Sequence, residues 1–515
     1  MARRFIQWMA PYTGALFYAT ASQSPAAQGL LGLCQAGTGK PFIMPRLPLP
    51  PLLLQALPAA PAAYLVGGTV RDLLMRRRPS DVDIATPGVP AAFAQAVAER
   101  AGARAVPIGK GGRVTHRVTA RSMPIDITGL VGGTVESDLR RRDFTINAMA
   151  YDLAADRLID PLDGRRDIAA RRIRMVSEQA FIDDPLRLLR AFRLAAVLGF
   201  TVAPETLEAI GRHARRIARS AGERQRHELL QLLACPASAP QIQGMSDCGL
   251  LVHLLPEMAP LKGCGQNVHH HFDVYDHTLR AYAGLEEHLG QTARLPQALT
   301  RRYRQAPFRR KTTAILKYAL LLHDIGKPGT RRVDAEGKVH FYGHARHSAE
   351  LAEAVHQRLR LSGTERAQAR CIIANHGRPM DLLSAHQAAN LSRKGISRFF
   401  KDCEPWTPEV LLHALGDTRG KKAAPDSAVE TTLAFIGDLL DDYFHRFRPL
   451  ASGRPLLAGE ELMARFGLAP SPLVGRVLRA VEEERLAGRL ATHAEALAFA
   501  GTFLAGDIDQ ARIDD

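Results

Sequence analysis

The stretch Tyr64-Leu-Val-Gly-Gly-Thr-Val-Arg-Asp72, followed by Ser80-Asp-Val-Asp-Ile-Ala85, decides the fold of the first part of this chain. Two short apolar runs, separated by a glycine pair and a polar segment, predict two β-strands around a tight turn. Side chains alternate between the two faces of a strand, so Asp81 and Asp83 are expected to point the same way. Two carboxylates on one face predict a site for a divalent metal ion.

Two glycines and a third acid extend this candidate site. Gly67 and Gly68 follow the first predicted strand, where the absence of a Cβ lets backbone N–H groups approach phosphate oxygens. Asp126 lies between two isoleucines on a later predicted strand, in phase for the face that carries the aspartate pair. Three such carboxylates can hold two Mg²⁺ ions, which act on an attacking hydroxyl and a leaving pyrophosphate. The pattern predicts nucleotide transfer, with all three acids as catalytic residues.

The segment Arg141-Arg-Asp-Phe-Thr-Ile-Asn-Ala-Met149 mixes cations, an acid and an amide with apolar anchors. A guanidinium matches phosphate geometry, so Arg142 is expected to bind the triphosphate together with Arg71. Asp143 or Asn147 is expected to bind the ribose or to brace the strand that carries the metal ligands.

A third segment, Asp184-Pro-Leu-Arg-Leu-Leu-Arg-Ala-Phe-Arg193, reads as the start of an amphipathic helix. Asp184 and Arg187 are expected to share one helix face with Arg190 and Arg193, while the opposite face, which includes Val197, is expected to be core. An acid accepts from an exocyclic amine and an arginine donates to ring acceptors, so Asp184 with Arg187 can read C or A. The alternative is a surface ion pair that contributes under about 1 kcal/mol.

Composition bounds the class of protein. The chain has 515 residues, too many for one compact core, and 68 Lys and Arg against 52 Asp and Glu give a net charge of +16. Such an excess favours a polyanionic partner, above all a nucleic acid, although a composition rich in Ala, Leu and Arg explains the charge equally well.

The cysteines and the apolar runs indicate a cytoplasmic protein. Six cysteines are scattered without a CxxC pair, which is typical of reduced thiols. No apolar run approaches the roughly 20 residues that cross a bilayer, so no membrane partner is expected. The sequence leaves the oligomeric state open.

Taken together, these motifs resemble the family of class II tRNA nucleotidyltransferases and bacterial poly(A) polymerases. The resemblance covers residues 62 to about 233 and includes Asp160-Pro-Leu-Asp-Gly164 between the second and third segments. It implies a head of the DNA polymerase beta superfamily on a helical neck, with CTP and ATP as substrates and tRNA as the partner. It also implies addition of the 3′-terminal CCA without a nucleic-acid template.

Three alternatives stay open within this interpretation. The stretch between Ile127 and Arg141 is short where complete CCA-adding members carry a longer loop, so addition of the two C residues alone is one alternative. Poly(A) polymerase shares the same motifs. An HD phosphohydrolase or RNA-binding protein with an inactive head is a third alternative, against which the intact acids argue.

The second half of the chain is rich in histidine. The stretch Leu320-Leu-Leu-His-Asp-Ile-Gly-Lys327 is expected to place His323 and Asp324 inside an apolar helix. Burial of an imidazole beside a carboxylate costs several kcal/mol unless a metal or a partner compensates. This half resembles an HD-domain phosphohydrolase, and four residues match its metal-ligand positions: His277, His323, Asp324 and Asp417. His344 and His376 match extra positions of members with a second metal or a phosphate clamp. The resemblance implies a divalent metal such as Mg²⁺, Mn²⁺ or Ni²⁺, and hydrolysis of 2′-phosphates or 2′,3′-cyclic phosphates.

The predicted fold is an α/β head followed by an all-α neck, a helical HD domain and a helical C-terminal arm. Strand signals nearly vanish after Asp167. The predicted boundaries are an N-terminal extension at 1–47, the head at 48–168, the neck at 169–262, the HD domain at 263–450 and the arm at 451–515. A native start at Met44 is an alternative explanation of the extension, and a helix break is expected at 300–311.

Overall fold

The computed structural model describes residues 62–109, 114–121, 123–265, 272–290, 306–421 and 426–513, together with positions 55, 57 and 58. The predicted extension, the alternative start at Met44 and the first half of the predicted break at 300–311 lie outside the described residues. The chain divides into two compact units, one ending at Arg216 and the other beginning at Ile217. This division falls inside the predicted neck, and the domain boundaries remain predictions.

The first unit is built on a seven-stranded sheet in the order β3-β4-β5-β2-β1-β6-β7. Its strands are β1 Tyr64–Val66, β2 Val82–Thr86, β3 Ala105–Ile108, β4 Thr115–Ala120, β5 Met123–Gly129, β6 Ala150–Asp152 and β7 Arg157–Ile159. Strands β2 and β5 pair in parallel, and the other neighbours in this sheet pair antiparallel. The predicted α/β head is confirmed.

Helices of the first unit flank and follow this sheet. They are α1 Gly68–Leu74, α2 Pro90–Ala101, α3 Val135–Leu139, α4 Gly164–Ala169, α5 Gln179–Asp183, α6 Leu186–Leu198 and α7 Pro204–His213. A 3₁₀-helix spans Thr145–Asn147, another spans Ala214–Arg219, and two short strands, β8 Arg172–Ile173 and β9 Thr201–Val202, pair in parallel.

Helix α6 buries the apolar face that its sequence predicts, with one exception. Leu188, Leu189 and Phe192 are buried, but Val197 is 47% exposed, so its assignment to the core is wrong. Val197 lies nine residues beyond Leu188, which is two and a half helical turns, so it projects from the opposite side of the helix.

Where the structure describes the second unit, it is helical apart from the two-residue strands β10 Arg332–Val333 and β11 Val339–His340. Its helices as far as Gly420 are α8 Gly222–Leu233, α9 Ala239–Asp247, α10 Leu250–Leu254, α11 Val274–Gly290, α12 Ala306–Leu322, α13 Lys327–Thr330, α14 His344–Arg358, α15 Gly363–Asn375, α16 Arg378–Gln387, α17 Arg393–Cys403 and α18 Thr407–Gly420. Then follow α19 Asp426–Asp442, α20 Arg448–Ala451, α21 Gly459–Phe466, α22 Pro472–Leu486 and α23 His493–Ile513, with a 3₁₀-helix at Pro256–Leu261 and a π-helix at Tyr443–Phe447.

Helix α12 corrects one expectation. The predicted break at 300–311 is wrong over its second half, because the helix already begins at Ala306. Pro307 does not interrupt it, since proline is tolerated in the first helical turn. In the described part of the chain, no helix is both long and apolar enough to span a bilayer.

Candidate active site and candidate metal centre

The aspartate pair of the head lies at the beginning of β2. The backbone N–H of Asp83 donates to Thr69 Oγ1 at 2.8 Å, which ties the strand to α1. Asp81 lies in the bend before the strand, is exposed, and accepts from Ser80 Oγ at 2.9 Å. Its predicted place on the strand is wrong, because pairing with β5 begins only at Val82.

The third acid lies beside the pair, as its phase predicts. Asp126 on β5 is opposite Asp83 in the parallel register. Its carboxylate also accepts two hydrogen bonds of 2.7 Å from the guanidinium of Arg117 on β4. Asp126 therefore forms a bidentate ion pair with a partner that the sequence interpretation missed.

The electrostatics of this site favour a bound cation. Burial, followed by the negative charges of Asp81 and Asp126, raises the pKa of Asp83 to about 6, against the opposing effect of Arg142 and Arg71. A carboxylate that ionises with difficulty among other acids is stabilised when a divalent cation joins them. The donor set of the head fits such an ion.

The glycine turn lies close to Asp83 and to Arg142 at Gly67. Its φ of 68° lies in the left-handed region, and a Cβ at this position would lie 2.7 Å from Arg142 Nη1 and 3.3 Å from Asp83 Oδ2. Gly68 follows as the first residue of α1, with the guanidinium of Arg71 close by. Only glycine fits position 67, because any side chain would meet both the backbone strain and Arg142.

Asp138 holds Arg142 in place. The Arg142 guanidinium donates to Asp138 Oδ2 from Nη2 at 2.8 Å and from Nε at 3.1 Å, while Asp138 Oδ1 accepts from the backbone N–H of Val131 at 3.3 Å. The short stretch after β5 thus folds as helix α3, capped by Thr134, and supports the arginine. The i, i+4 spacing of Asp138 and Arg142 is the signal that reveals this pair in the sequence.

A chain of polar contacts connects α1 to α6. Arg71 Nη1 donates to Asn147 Oδ1 at 2.7 Å, Asn147 Nδ2 donates to Asp143 Oδ1 at 3.0 Å, and Arg190 Nη1 lies 3.4 Å from Asp143 Oδ2. Burial opposes ionisation of Asp143, but the charge of Arg190 and hydrogen bonds from Asn147 and Phe144 outweigh it and lower its pKa. Asp143 and Asn147 therefore brace the arginines in this structure.

The predicted base-reading residues lie at the start of α6. Asp184 precedes the helix in an extended conformation and accepts from the backbone N–H of Leu186 at 3.2 Å, so its predicted place on the helix face is wrong. The helix starts only after Pro185, because a residue before proline is disfavoured in the α conformation. Arg187 donates to the carbonyls of Arg141 and Ala180, each at 3.2 Å. Half-buried side chains at 184, 187, 190 and 193 nevertheless recur every three residues.

The six predicted ligands of the second unit converge on one centre. They are His277 on α11, His323 and Asp324 in the turn after α12, His344 at the start of α14, His376 just after α15 and Asp417 on α18. The expectation that His323 and Asp324 lie inside an apolar helix is wrong, because α12 ends at Leu322. Both side chains are fully buried all the same.

The ligand atoms lie within coordinating range of one another. His277 Nε2 is 2.9 Å from Asp417 Oδ1, and His323 Nε2 is 3.0 Å from Asp324 Oδ2 and 3.4 Å from Asp417 Oδ1. On the other side, His344 Nε2 is 3.5 Å from Asp324 Oδ1 and 3.1 Å from His376 Nε2. Nitrogen and carboxylate donors in this number suit a divalent transition metal or Mg²⁺.

The protonation states of Asp324 and His376 fit a cation-binding role. Burial opposes protonation of His323, but Asp324 and Asp417 outweigh it and raise its pKa to about 9. Burial opposes ionisation of Asp324, yet His323 and Lys327 outweigh it and hold the pKa of that carboxyl well below its ordinary value. Burial and the neighbouring His323 lower the pKa of His376 to about 3, so its imidazole is neutral and can donate a lone pair.

Buried atoms without hydrogen-bond partners also point to an occupant. Among the described residues, Asp324 Oδ1 is buried without a hydrogen-bond partner, while Oδ2 forms ion pairs with Lys327 Nζ at 2.8 Å and with His323 Nε2 at 3.0 Å. Buried polar atoms left in this state cost about 1–3 kcal/mol each. A divalent cation held by Asp324 and its histidine neighbours removes that cost.

Comparison with known proteins supports both halves of this description. Residues 63–174 match the model of the poly A polymerase head domain, residues 199–262 match a probable RNA and SrmB binding site of polymerase A, and residues 274–417 match the HD domain. An A-adding tRNA nucleotidyltransferase from Deinococcus radiodurans is 37% identical over 469 residues, covering 88% of this chain and 96% of that protein. The chain belongs to the tRNA nucleotidyltransferase family.

This tRNA nucleotidyltransferase is also similar to a CC-adding tRNA nucleotidyltransferase from Thermus thermophilus, at 35% identity over 85% of this chain and 92% of that protein. The solved CCA-adding enzyme from Bacillus stearothermophilus in complex with CTP shares its fold, with a TM-score of 0.57 and 24% identity over 90% of this chain and 100% of that one. Nucleotidyltransferase heads and HD domains generally use divalent metals.

Several residues of the tRNA nucleotidyltransferase sites escaped the sequence interpretation. Asp138 and Lys327 had a signal, since each lies three or four residues from its partner. Arg117 had none, because its pairing with Asp126 depends on the antiparallel register of β4 and β5. His413 had only its position one turn before Asp417 on α18.

Proposed function

We propose that this chain transfers CMP and then AMP to the 3′ end of tRNA, from CTP and ATP and without a nucleic-acid template. The observation that carries the proposal is the closeness of the Gly67 turn to both Asp83 and Arg142, which puts an acidic cluster, an arginine and a glycine turn side by side. In the reaction, the 3′-hydroxyl oxygen bonds to the α-phosphorus, the bond to the bridging oxygen breaks, and pyrophosphate leaves.

Each residue of the head has a place in this proposal. Asp81 and Asp83 hold Mg²⁺, which when bound activates the hydroxyl and stabilises pyrophosphate. Asp126, already paired with Arg117, adds negative charge beside Asp83. Phosphates and ribose are bound by the backbone of the glycine turn and by the arginines of the site, which are Arg71, Arg142, Arg190 and Arg193. Asp143 and Asn147 hold those arginines through the contacts described above.

Asp184 and Arg187 are proposed to select the base. Asp184→Ala is expected to weaken discrimination of CTP and ATP against UTP and GTP by about ten- to a hundredfold, because a bidentate base contact supplies about 1–3 kcal/mol. The measurement is kcat/KM for each of the four nucleotides. Asp183→Ala is the matched control, since Asp183 is exposed and accepts from Gln179. If Asp184→Ala and the unmodified chain discriminate equally among the four nucleotides, Asp184 does not select the base.

Addition of only part of the CCA end is the second candidate function, and a separate observation favours it. The stretch after β5 is occupied by the short helix α3 and by contacts of Asp138, which leaves little length for a switching loop. Two similar relatives carry the names A-adding and CC-adding, so their names favour neither nucleotide for this chain.

A comparison of primers tests the function. Equal amounts of a tRNA transcript without its 3′ CCA and of an oligo(A) RNA are incubated with Mg²⁺ and all four nucleotides. We expect extension of the tRNA by one to three residues and little extension of oligo(A). Long products on oligo(A) made from ATP alone would identify a poly(A) polymerase instead.

The HD centre is proposed to hydrolyse 2′-phosphates or 2′,3′-cyclic phosphates, with Mg²⁺, Mn²⁺ or Ni²⁺ bound by His277, His323, Asp324 and Asp417. His344 and His376 are proposed to bind a second ion or the substrate phosphate. Asp324 Oδ1, which is buried without a hydrogen-bond partner among the described residues, supports this proposal. Such phosphates block a 3′-hydroxyl, so hydrolysis would prepare an RNA end for extension by the head.

We propose a reducing, cytoplasmic location for this chain. The described cysteines, at positions 235, 248, 264, 371 and 403, are free, which supports that location. For the organisation of the chain we propose the head, neck, HD domain and arm of the sequence analysis.

A further inference from the structure

His413 lies against the metal centre of the second unit without belonging to its predicted ligands. It is on α18, one turn before Asp417, so the two side chains share a helix face. Its ring centroid is 4.9 Å from that of His323 and 5.4 Å from that of His376, at interplanar angles of 68° and 50°. His413 is therefore packed directly onto two of the proposed ligands.

The imidazole of His413 is fully buried, and its polarity is costly there. Its exposed fraction is 0%, and neither Nδ1 nor Nε2 has a hydrogen-bond partner among the described residues. Two polar atoms in this state cost about 1–3 kcal/mol each, which an apolar ring of similar size would avoid. A hydrogen-bond partner supplied by the occupant of the centre explains why a histidine is tolerated at this position.

His413 lies outside the groups of side chains whose ligand atoms are close enough together to hold a cation. Two groups of described residues have ligand atoms within 4.8 Å of one another, His277 with His323 and Asp417, and His323 with Asp324 and His376. His413 belongs to neither group, so its nitrogens do not lie within 4.8 Å of all the ligand atoms of either one. Groups in this position orient the ligands and hydrogen-bond to solvent bound by the metal.

We propose that His413 is a positioning residue of the HD centre, whose ring packs against His323 and His376 and whose nitrogen hydrogen-bonds to a solvent molecule bound to the cation. The inference rests on the proposal that this centre holds a divalent cation. It adds a residue to that site that the HD ligand pattern does not contain.

The test measures Mn²⁺ binding by calorimetry, in the Asp83→Asn background that weakens the metal site of the head. His413→Phe keeps the ring and removes both nitrogens, so Mn²⁺ affinity is expected to fall about 10- to 100-fold. Without metal, the Tm of this variant is expected to stay equal or to rise, because the unpartnered nitrogens are gone. His413→Gln retains a hydrogen-bonding group and is expected to keep Mn²⁺ affinity within about tenfold of the unmodified centre.

His356→Phe is the matched control. His356 is also fully buried with neither ring nitrogen hydrogen-bonded to a described residue, but it packs on Tyr318. We expect it to leave Mn²⁺ affinity unchanged.

Equal Mn²⁺ affinity of His413→Phe and the unmodified protein, or equal losses in both phenylalanine variants, would overturn the inference alone. Absence of Mn²⁺ binding in the unmodified centre would overturn the proposed HD function as well. If His413→Phe does not fold, His413→Leu takes its place, since it also removes both nitrogens: the same fall in Mn²⁺ affinity supports the inference and an unchanged affinity overturns it.

Discussion

Asp83→Asn is expected to reduce nucleotide transfer by at least about 1000-fold, equivalent to about 4 kcal/mol of transition-state stabilisation. The substitution removes one anionic ligand from the centre of the acidic cluster, where Asp83 contacts the glycine turn and lies opposite Asp126. It conserves side-chain volume, and the backbone hydrogen bond to Thr69 is unaffected. The fold and the binding of tRNA through basic surfaces should therefore persist.

Single-turnover incorporation of labelled CMP, with tRNA affinity measured in parallel, separates these effects. Asp152→Asn is the matched control, because Asp152 belongs to the same sheet and accepts backbone hydrogen bonds from a turn. The control is expected to transfer nucleotides at the unmodified rate. A rate for Asp83→Asn within about tenfold of the unmodified chain would exclude Asp83 as a metal ligand.

Asp324→Asn is expected to abolish phosphate release from 2′,3′-cyclic nucleotides while nucleotide transfer by the head continues. Asp324 contacts His323 and Lys327 and faces His344, and it is the acid of the group of ligands that it forms with His323 and His376. Loss of its charge removes a ligand and leaves Lys327 without its acidic neighbour. We expect a fall in Mn²⁺ affinity of at least about tenfold, which corresponds to about 1.4 kcal/mol.

The control for this variant is Asp334→Asn in the same unit. Asp334 is a partly exposed acid that accepts from His340 at 2.6 Å, away from the metal ligands. It should retain phosphate release and Mn²⁺ binding. Persistent phosphate release by Asp324→Asn, measured with colorimetric phosphate detection, would show that the cluster is structural.

The local features of the head could be predicted from the sequence. Glycine at position 67 and the alternation around Asp83 depend on neighbouring residues alone, and the structure confirms the strand and turn there. These features share a short sequence range in which geometry follows from residue type. The histidines of the HD centre are spread from 277 to 376 and could be assigned only because their motifs resemble a known family.

Other features depend on contacts between distant segments. The bidentate pair of Arg117 with Asp126 requires the register of two strands, and the burial of His413 requires the packing of α18 against the turn after α12. Asp184 lies ahead of its helix because Pro185 disfavours a helical conformation of the residue before it. The periodicity of the sequence does not show this restriction. Each of these outcomes is set by tertiary structure or by a backbone restriction rather than by periodicity.

The measurement that tests the central claim most directly uses three tRNA transcripts, ending before the CCA, after its first C and after its second C. Each is incubated with CTP, ATP or both, and the products are resolved at single-nucleotide resolution. We predict that CTP extends the first two transcripts to the second C, that ATP adds one A to the third, and that both together stop after CCA. Products limited to C or to A would contradict addition of the complete CCA and identify a CC-adding or an A-adding member of the family instead. Failure to extend any transcript, or long runs of A, would contradict template-independent CCA addition by this chain.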